Sequence, residues 1–390
     1  MMAGEKIDAT QMLRKLVAFD TTSRNSNLDL IDFVRGYLDG HGVKSELVFD
    51  HGGAKANLYA TLGPREAGGI VLSGHTDVVP VDDQDWETDP WTLTERHNRL
   101  YGRGSCDMKG FVACSLALVP ELLERGLKEP VHLAFSYDEE VGCLGVHSLI
   151  AHIIEHHPKP RLCLVGEPTM MGVVDTHKGI RSYVTTVTGL EAHSSQTQIG
   201  VNAVMVAAEL INFLGQMGED LKAQGDATGR FTPPYTTLSV GTIEGGTAVN
   251  IIPRHCRFAW EYRSLPGTDA EAPIRRFEDH VTRRVLPALE EKAPGIAAIT
   301  TVPRSVTPAL KPDPGSLAET LAKALAGSNE TQAVSYATEA GIFQVHGIPT
   351  VVCGPGDILQ AHRPNEFVSI EQLEACTTFL RRLADRVCVA

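Results

Sequence analysis

Glu139 and Glu140 close the apolar, strand-like run Val131-His-Leu-Ala-Phe-Ser-Tyr137. Adjacent carboxylates resist joint ionisation unless a cation divides their roles, so the pair points to a metal ligand beside a general base. A solvated strand end is the ordinary alternative, yet the Val-Gly-Cys-Leu-Gly that follows is not a charged surface run.

Other segments end in residues of matching chemistry. Ile70-Val-Leu-Ser-Gly74 runs into His75-Thr76-Asp77, and Arg161-Leu-Cys-Leu-Val-Gly166 runs into Glu167-Pro168. Pro349-Thr-Val-Val-Cys-Gly-Pro355 leads on to His362, and Asp107 sits in the glycine-rich turn Tyr101-Gly-Arg-Gly-Ser-Cys-Asp-Met-Lys-Gly110, which opens a helical pattern. His75, Asp107, Glu140, Glu167 and His362 make a nitrogen and oxygen set suited to zinc, cobalt or manganese. One catalytic zinc with an open position needs three protein ligands, so five donors suggest two divalent ions sharing a carboxylate. Asp77, two residues beyond His75, is placed to orient its imidazole. Plainer roles remain open: Asp107 as a helix N-cap, Glu167 as turn chemistry before a proline, Lys178 and Gly179 as a hinge or a contact. Cys106 beside Asp107 is not required as a nucleophile, because a water activated by metal needs none.

The elements that must position these residues alternate in the first part of the chain. Helix patterns near 8–19, 27–40, 108–125 and 145–155 intersperse with strand patterns at 57–62, 70–74, 131–137 and 161–165. Such alternation gives a sheet flanked by helices, and short apolar runs ending in functional side chains suit the carboxyl edge of an α/β sheet. After Lys178 the pattern changes. A half-exposed strand at 181–188, an apolar helix at 201–214, strands at 236–242 and 255–263, a helix near 271–290 and a strand near 297–304 spell βαββαβ, the split ferredoxin-like order. Pro308-Ala-Leu-Lys-Pro-Asp-Pro314 marks the return. The expected fold is α/β, with a discontinuous mixed-sheet, metal-binding domain of residues 1–178 and 309–390 and an inserted ferredoxin-like α+β domain of residues 179–308.

Composition narrows the function classes. The 390 residues suit about two domains. A net charge of −13 argues against nucleic acid or an anionic membrane as partner. No apolar run approaches a membrane span, and the Met-Met-Ala-Gly-Glu-Lys start lacks a signal-peptide core. Eight cysteines without paired spacing read as reduced thiols in a cytoplasm. No Gly-x-Ser-x-Gly elbow supports a serine hydrolase.

Gly74-His-Thr-Asp-Val-Val-Pro80, Gly102-Arg-Gly-Ser-Cys-Asp-Met-Lys-Gly110, Asp138-Glu-Glu140, Gly166-Glu-Pro168 and His362 together resemble the co-catalytic zinc aminoacylase and deacylase family, M20, over nearly the whole chain. Tyr336-Ala-Thr-Glu-Ala-Gly-Ile342 and the Cys353–Phe367 stretch are most similar to its acetylornithine-deacetylating branch. The resemblance implies hydrolysis of a small-molecule N-acyl amino acid by two Zn2+ or Co2+ ions. A desuccinylase of succinyl-diaminopimelate or a broader N-acyl amino acid amidohydrolase is the alternative, and a non-hydrolytic metal-binding protein a remote one.

The resemblance also implies roles. Asp107 bridges the ions, His75 and Glu167 complete one site, and Glu140 and His362 the other. Glu139 takes a proton from water and passes it to the leaving amine. His193 donates to the oxyanion, reaching the partner subunit's site in a homodimer formed through the inserted lid domain. Asn250 and Arg263 grip the substrate's carbonyl and carboxylate, and Glu339 is the candidate acid for a side-chain ammonium. The Asp107–Met108 peptide bond is expected to be cis.

Overall fold

The strands Ile70–His75, Val131–Ser136, Leu162–Pro168 and Thr350–Gly354 are buried at every residue. Their largely apolar sequences fit strands covered on both faces, where no side is left for polar residues. In the computed structural model, which describes residues 6–66 and 68–389, these four pair in parallel, with Ile70–His75 between Val131–Ser136 and Leu162–Pro168 and Thr350–Gly354 outside the latter. Antiparallel Ala56–Leu62 and Ser45–Phe49 extend one side, and Val174–His177 and Gln332–Val334 the other, to complete an eight-stranded mixed sheet. The helix Lys109–Arg125 packs on this sheet, on Ala9–Val17 and on Ile370–Val387. Leu16, Leu72, Phe111, Leu133, Leu164 and Phe379 belong to the resulting core.

The described chain divides into two units. The first runs to Thr176 and takes up the chain again at Leu310–Ala333 and from Thr338 onward; the second is His177–Ala309 with Val334–Ala337. The second unit holds a four-stranded antiparallel sheet in the order Thr237–Gly245, His255–Ser264, Gly179–Thr188, Ala298–Thr307. Every second residue of His255–Ser264 from Cys256 on is buried, the period-2 signature of a sheet with one covered face. Trp260 stacks on Tyr183 at 4.9 Å and donates its indole N–H to Thr185 at 3.0 Å.

Three local features differ from the periodicity. The helix expected at 201–214 runs as Ala203–Gln224, capped by the Asn202 side chain on the Met205 amide. The helix expected near 271–290 is broken into Ala272–His280, a π-helical turn Val281–Val285 and Leu286–Lys292. Pro287 lacks the N–H for a regular turn and crowds the carbonyl four residues back, which widens the turn before it. A small sheet of Thr94–Arg96, Arg99–Tyr101 and Phe367–Ser369 has no counterpart in the apolar pattern. The Asp107–Met108 peptide bond is cis, as expected.

Candidate metal centre

The parallel strands end together. His75 closes its strand opposite Ser136, the last residue of the next one. Glu139 and Glu140 therefore leave the sheet at the same edge, and Glu167 lies one residue before the end of the third strand. Asp107 arrives from the loop that precedes Lys109–Arg125, and His362 from the loop before Phe367–Ser369. Asp138 and His362 hold positive φ of 55° and 64°, an uncommon backbone that Asp and His adopt more readily than most residues.

Asp107 stands between two histidines. Its Oδ1 is 3.1 Å from His75 Nε2, and its Oδ2 is 3.4 Å from His362 Nε2. His75 Nε2 also faces Glu167 Oε1 at 3.7 Å, while His362 Nε2 faces Glu140 Oε2 at 2.9 Å. The donors of His75, Asp107 and Glu140 lie within 4.8 Å of one another, as do those of His75, Glu139 and Glu167. One carboxylate presenting each oxygen to a separate imidazole is the donor arrangement that a pair of divalent cations requires. All five sequence-expected ligands thus meet at one point.

Charge supports the fit. Burial pushes Glu139 up to about 8 and Glu140 up to about 7, and it carries Glu167 well above the carboxylate range. Burial also acts to depress the His75 imidazole, but the surrounding Glu167, Asp107 and Glu139 hold it well above its usual value. His362 is raised to about 10 by its bonds to Asp107 and Glu140. Asp107 alone among these carboxylates is pulled down, against its burial, by the two histidines. So many buried acids around two imidazoles call for added positive charge.

The supporting shell departs from the sequence reading at Asp77. His75 Nδ1 donates to the backbone carbonyl of Asp77 at 2.9 Å, while the Asp77 carboxylate stands 3.6 Å away. That carboxylate accepts the Glu139 and Glu140 amides at 3.1 and 3.2 Å and the Ser23 hydroxyl at 2.7 Å. Asp77 thus orients the imidazole through its main chain and the acidic pair through its side chain. The Cys143 thiol reaches Glu139 Oε1 at 3.1 Å.

Glu366 escaped the sequence reading. Its carboxylate accepts from Arg103 at 2.7 Å and from the amides of Gly104, Cys106 and Asp107 at 3.1, 2.9 and 3.0 Å. This buried pair ties the loop of Asp107 to the segment following His362. An acid next to the apolar Phe367–Ser369 strand, with an arginine inside a glycine-rich turn, was the available signal. Lys109 was missed too: it is fully buried, donates to the Leu16 and Phe19 carbonyls at 3.1 and 2.9 Å, and is pushed down by burial to about 7.

Glu339 is 1% exposed, bonded to the Ser136 hydroxyl and, at 3.2 Å, to that of Ser73; burial pushes it up to about 7. Both serines lie on the parallel strands, so this acid, at the start of the helix Ala340–Val345, packs against a face of the sheet and is not open to solvent. His193, Asn250 and Arg263 belong to the second unit. The first two are neighbours: His193 bridges Ile251, and the Ser194 amide donates to the Asn250 carbonyl at 3.0 Å. His193 Nδ1 pairs with the Ser195 hydroxyl at 2.8 Å, and Arg263 Nε with Glu261 at 3.0 Å.

Known proteins share this arrangement of chain. An acetylornithine deacetylase of Myxococcus xanthus is 36% identical over 381 residues, covering 96% of both chains. An acetylornithine deacetylase of Pasteurella multocida is 34% identical over 393 residues, covering 97% of both. The M20 family metallo-carboxypeptidase Sso-CP2 of Sulfolobus solfataricus, 18% identical, superposes with a TM-score of 0.78 over 97% of this chain and 98% of its own. Residues 71–386 match Peptidase family M20/M25/M40 as a family. With the sheet-edge cluster of His75, Asp107, Glu140, Glu167 and His362 and relatives of this identity along its length, the chain belongs to peptidase family M20/M25/M40.

Proposed function

We propose that the protein hydrolyses N2-acetyl-L-ornithine to L-ornithine and acetate with the aid of two divalent metal ions, zinc or cobalt. The observation that carries the reading is Asp107 set between His75 and His362; the choice of substrate rests on the acetylornithine deacetylases that match along nearly all of the chain. His75 and Glu167 would hold one ion and Glu140 and His362 the other, with Asp107 between them serving both. Ions bound there would polarise the amide carbonyl and lower the pKa of water toward neutrality.

The chain's own groups do the rest. Glu139, held beside the cluster by the Asp77 carboxylate on its amide, takes a proton from the attacking water as the C–O bond forms. It delivers that proton to the amine nitrogen as the C–N bond breaks, and so ends the cycle ionised again. His193 donates to the oxyanion of the tetrahedral intermediate, in a homodimer where it serves the partner subunit's site. Arg263 binds the substrate carboxylate through both oxygens and Asn250 binds the carbonyl. Glu339, the acid expected to meet the substrate's ammonium, is instead closed in by the Ser73 and Ser136 hydroxyls and is given no contact with substrate. The second unit is lid and dimer surface, the first is catalytic, and eight cysteines held in no disulfide fit a cytoplasmic enzyme. No helix among the described residues is long and apolar enough to cross a membrane.

Metal-reconstituted protein tested against acetylornithine, succinyl-diaminopimelate and acetylmethionine in parallel decides the substrate. Acetylornithine is expected to show the highest kcat/KM by at least about tenfold, a difference of 1.4 kcal/mol in transition-state binding. A higher value for the succinylated substrate would replace the reading with a desuccinylase.

A further inference from the structure

Glu46, His152 and His157 form a second cluster of metal-ligating side chains, drawn from elements that give nothing to the first. Glu46 lies on Ser45–Phe49, the edge strand of the eight-stranded sheet, two strands removed from Val131–Ser136 in chain-pairing order. His152 lies on the helix Leu144–His156 and His157 caps its end. One oxygen of Glu46, Oε2, faces both imidazoles, at 2.8 Å from His152 Nε2 and 3.0 Å from His157 Nε2. All three ligand atoms lie within 4.8 Å of one another.

The rings are held from behind. His157 packs on Tyr59 at 4.8 Å between centroids, and Tyr59, fully buried, stacks in turn on His132. His156 stands one helical turn from His152, with the two rings 4.6 Å apart, so a further imidazole is at hand. The side chains of Glu46, His152 and His157 are 39%, 22% and 14% exposed, which leaves a path for an ion from solvent. Ligand distances of about 2.0–2.2 Å around a tetrahedral ion separate donor atoms by about 3.4 Å. Glu46 Oε2 would stand off from the two imidazoles by about 0.4–0.6 Å more.

We propose that Glu46, His152 and His157 bind one divalent cation of the zinc, nickel or copper class. Two imidazoles and one carboxylate leave a coordination position for water, and borderline cations favour that donor set. The ion ties the edge strand to the end of the helix across sequence separations of 106 and 111 residues. An ion that finds these three groups together only in the folded chain stabilises it by mass action, and this edge strand is otherwise paired on one side only. The site stabilises the sheet edge; it takes no part in the hydrolysis.

The test uses tag-free protein already loaded at the first centre, so that only added metal is counted. With zinc, wild type is expected to retain one more ion per chain than His152→Ala/His157→Ala after gel filtration. Its thermal midpoint is expected to rise by several degrees more than the variant's, the usual scale for a ligand far above its Kd. Cu2+ added to zinc-loaded wild type is expected to give an electron paramagnetic resonance spectrum with two nitrogen ligands, absent from the variant. Glu46→Gln, which keeps both hydrogen bonds available, is expected to weaken binding at least tenfold and covers the case of a double variant that does not fold. Equal ion counts in wild type and variants, or a copper spectrum without paired nitrogens, would leave Glu46 as a hydrogen-bond acceptor only and overturn the proposal. The comparison reads a difference of one ion, so it stands whether the first centre holds two ions or one.

Discussion

Glu139 and Glu140 are consecutive, yet their surroundings divide them. Glu140 faces His362 at 2.9 Å, and Glu139 takes the Cys143 thiol at 3.1 Å. The proposed roles make Glu139 a proton acceptor and not a ligand, so Glu139→Gln is expected to lower kcat by about 10²–10⁴-fold with metal content unchanged. Glu140→Gln is expected to lose both activity and one ion. Elemental analysis beside the kinetics checks the pair, and equal metal loss in the two variants would reverse the assignment.

At the scale of elements, the Asp107 loop is held by a residue far along the chain. Glu366 satisfies three of its amides and pairs with the buried Arg103. Glu366→Gln leaves that guanidinium without its charge partner, which costs about 3–5 kcal/mol when a buried pair is broken from one side. Urea unfolding should show that loss, together with weaker metal retention; wild-type stability would mean the loop stands without its clamp. A pH effect belongs to the strand Val131–Ser136. His132 is pushed by burial from 6.5 to about 4, and its Nε2 accepts the Gly69 amide at 3.2 Å, which only the neutral ring can do. The unfolded chain therefore binds one more proton than the folded chain between pH 6.5 and about 4. Stability should be full above pH 6.5 and fall as pH drops through that window, by about 3 kcal/mol from this group. Unfolding free energies at pH 7 and 4.5 are expected to differ less in His132→Gln than in wild type, and identical pH slopes would discard the explanation.

For the whole molecule, the question is whether one chain makes a complete site. His193 belongs to the second unit, and the proposed homodimer gives it to the partner. Glu139→Gln and His193→Ala chains, each inactive alone, are expected to complement when refolded together. In a mixed dimer the His193→Ala chain keeps its own Glu139 and receives the partner's histidine, while the other site carries both defects. Random pairing makes half of the dimers mixed, so activity should return to about one quarter of wild type. Subunit exchange without recovery would place the histidine within its own chain.

How much of this was legible in the sequence follows from the range of the forces involved. The parallel strands could be read because burial on both faces writes a continuous apolar run, as in Ile70-Val-Leu-Ser-Gly74 and Pro349-Thr-Val-Val-Cys-Gly-Pro355. The candidate metal donors could be read because His75, Glu140 and Glu167 follow such runs. The βαββαβ insert was legible from alternation, and the break at Pro287 was foreseeable from proline chemistry. The edge strand Ser45–Phe49 was not, since its half-buried residues show no alternation. Nor could local pattern tell that the Asp77 carboxylate serves the Glu139 and Glu140 amides, that Glu339 lies among sheet serines, or that Glu366 clamps Asp107. These contacts span 62, 266 and 259 residues. Local propensity carries no information at such separations. Only the packed sheet, by fixing which strand ends are neighbours, decides which carboxylate meets which donor, and it alone brought Glu46 to His152 and His157.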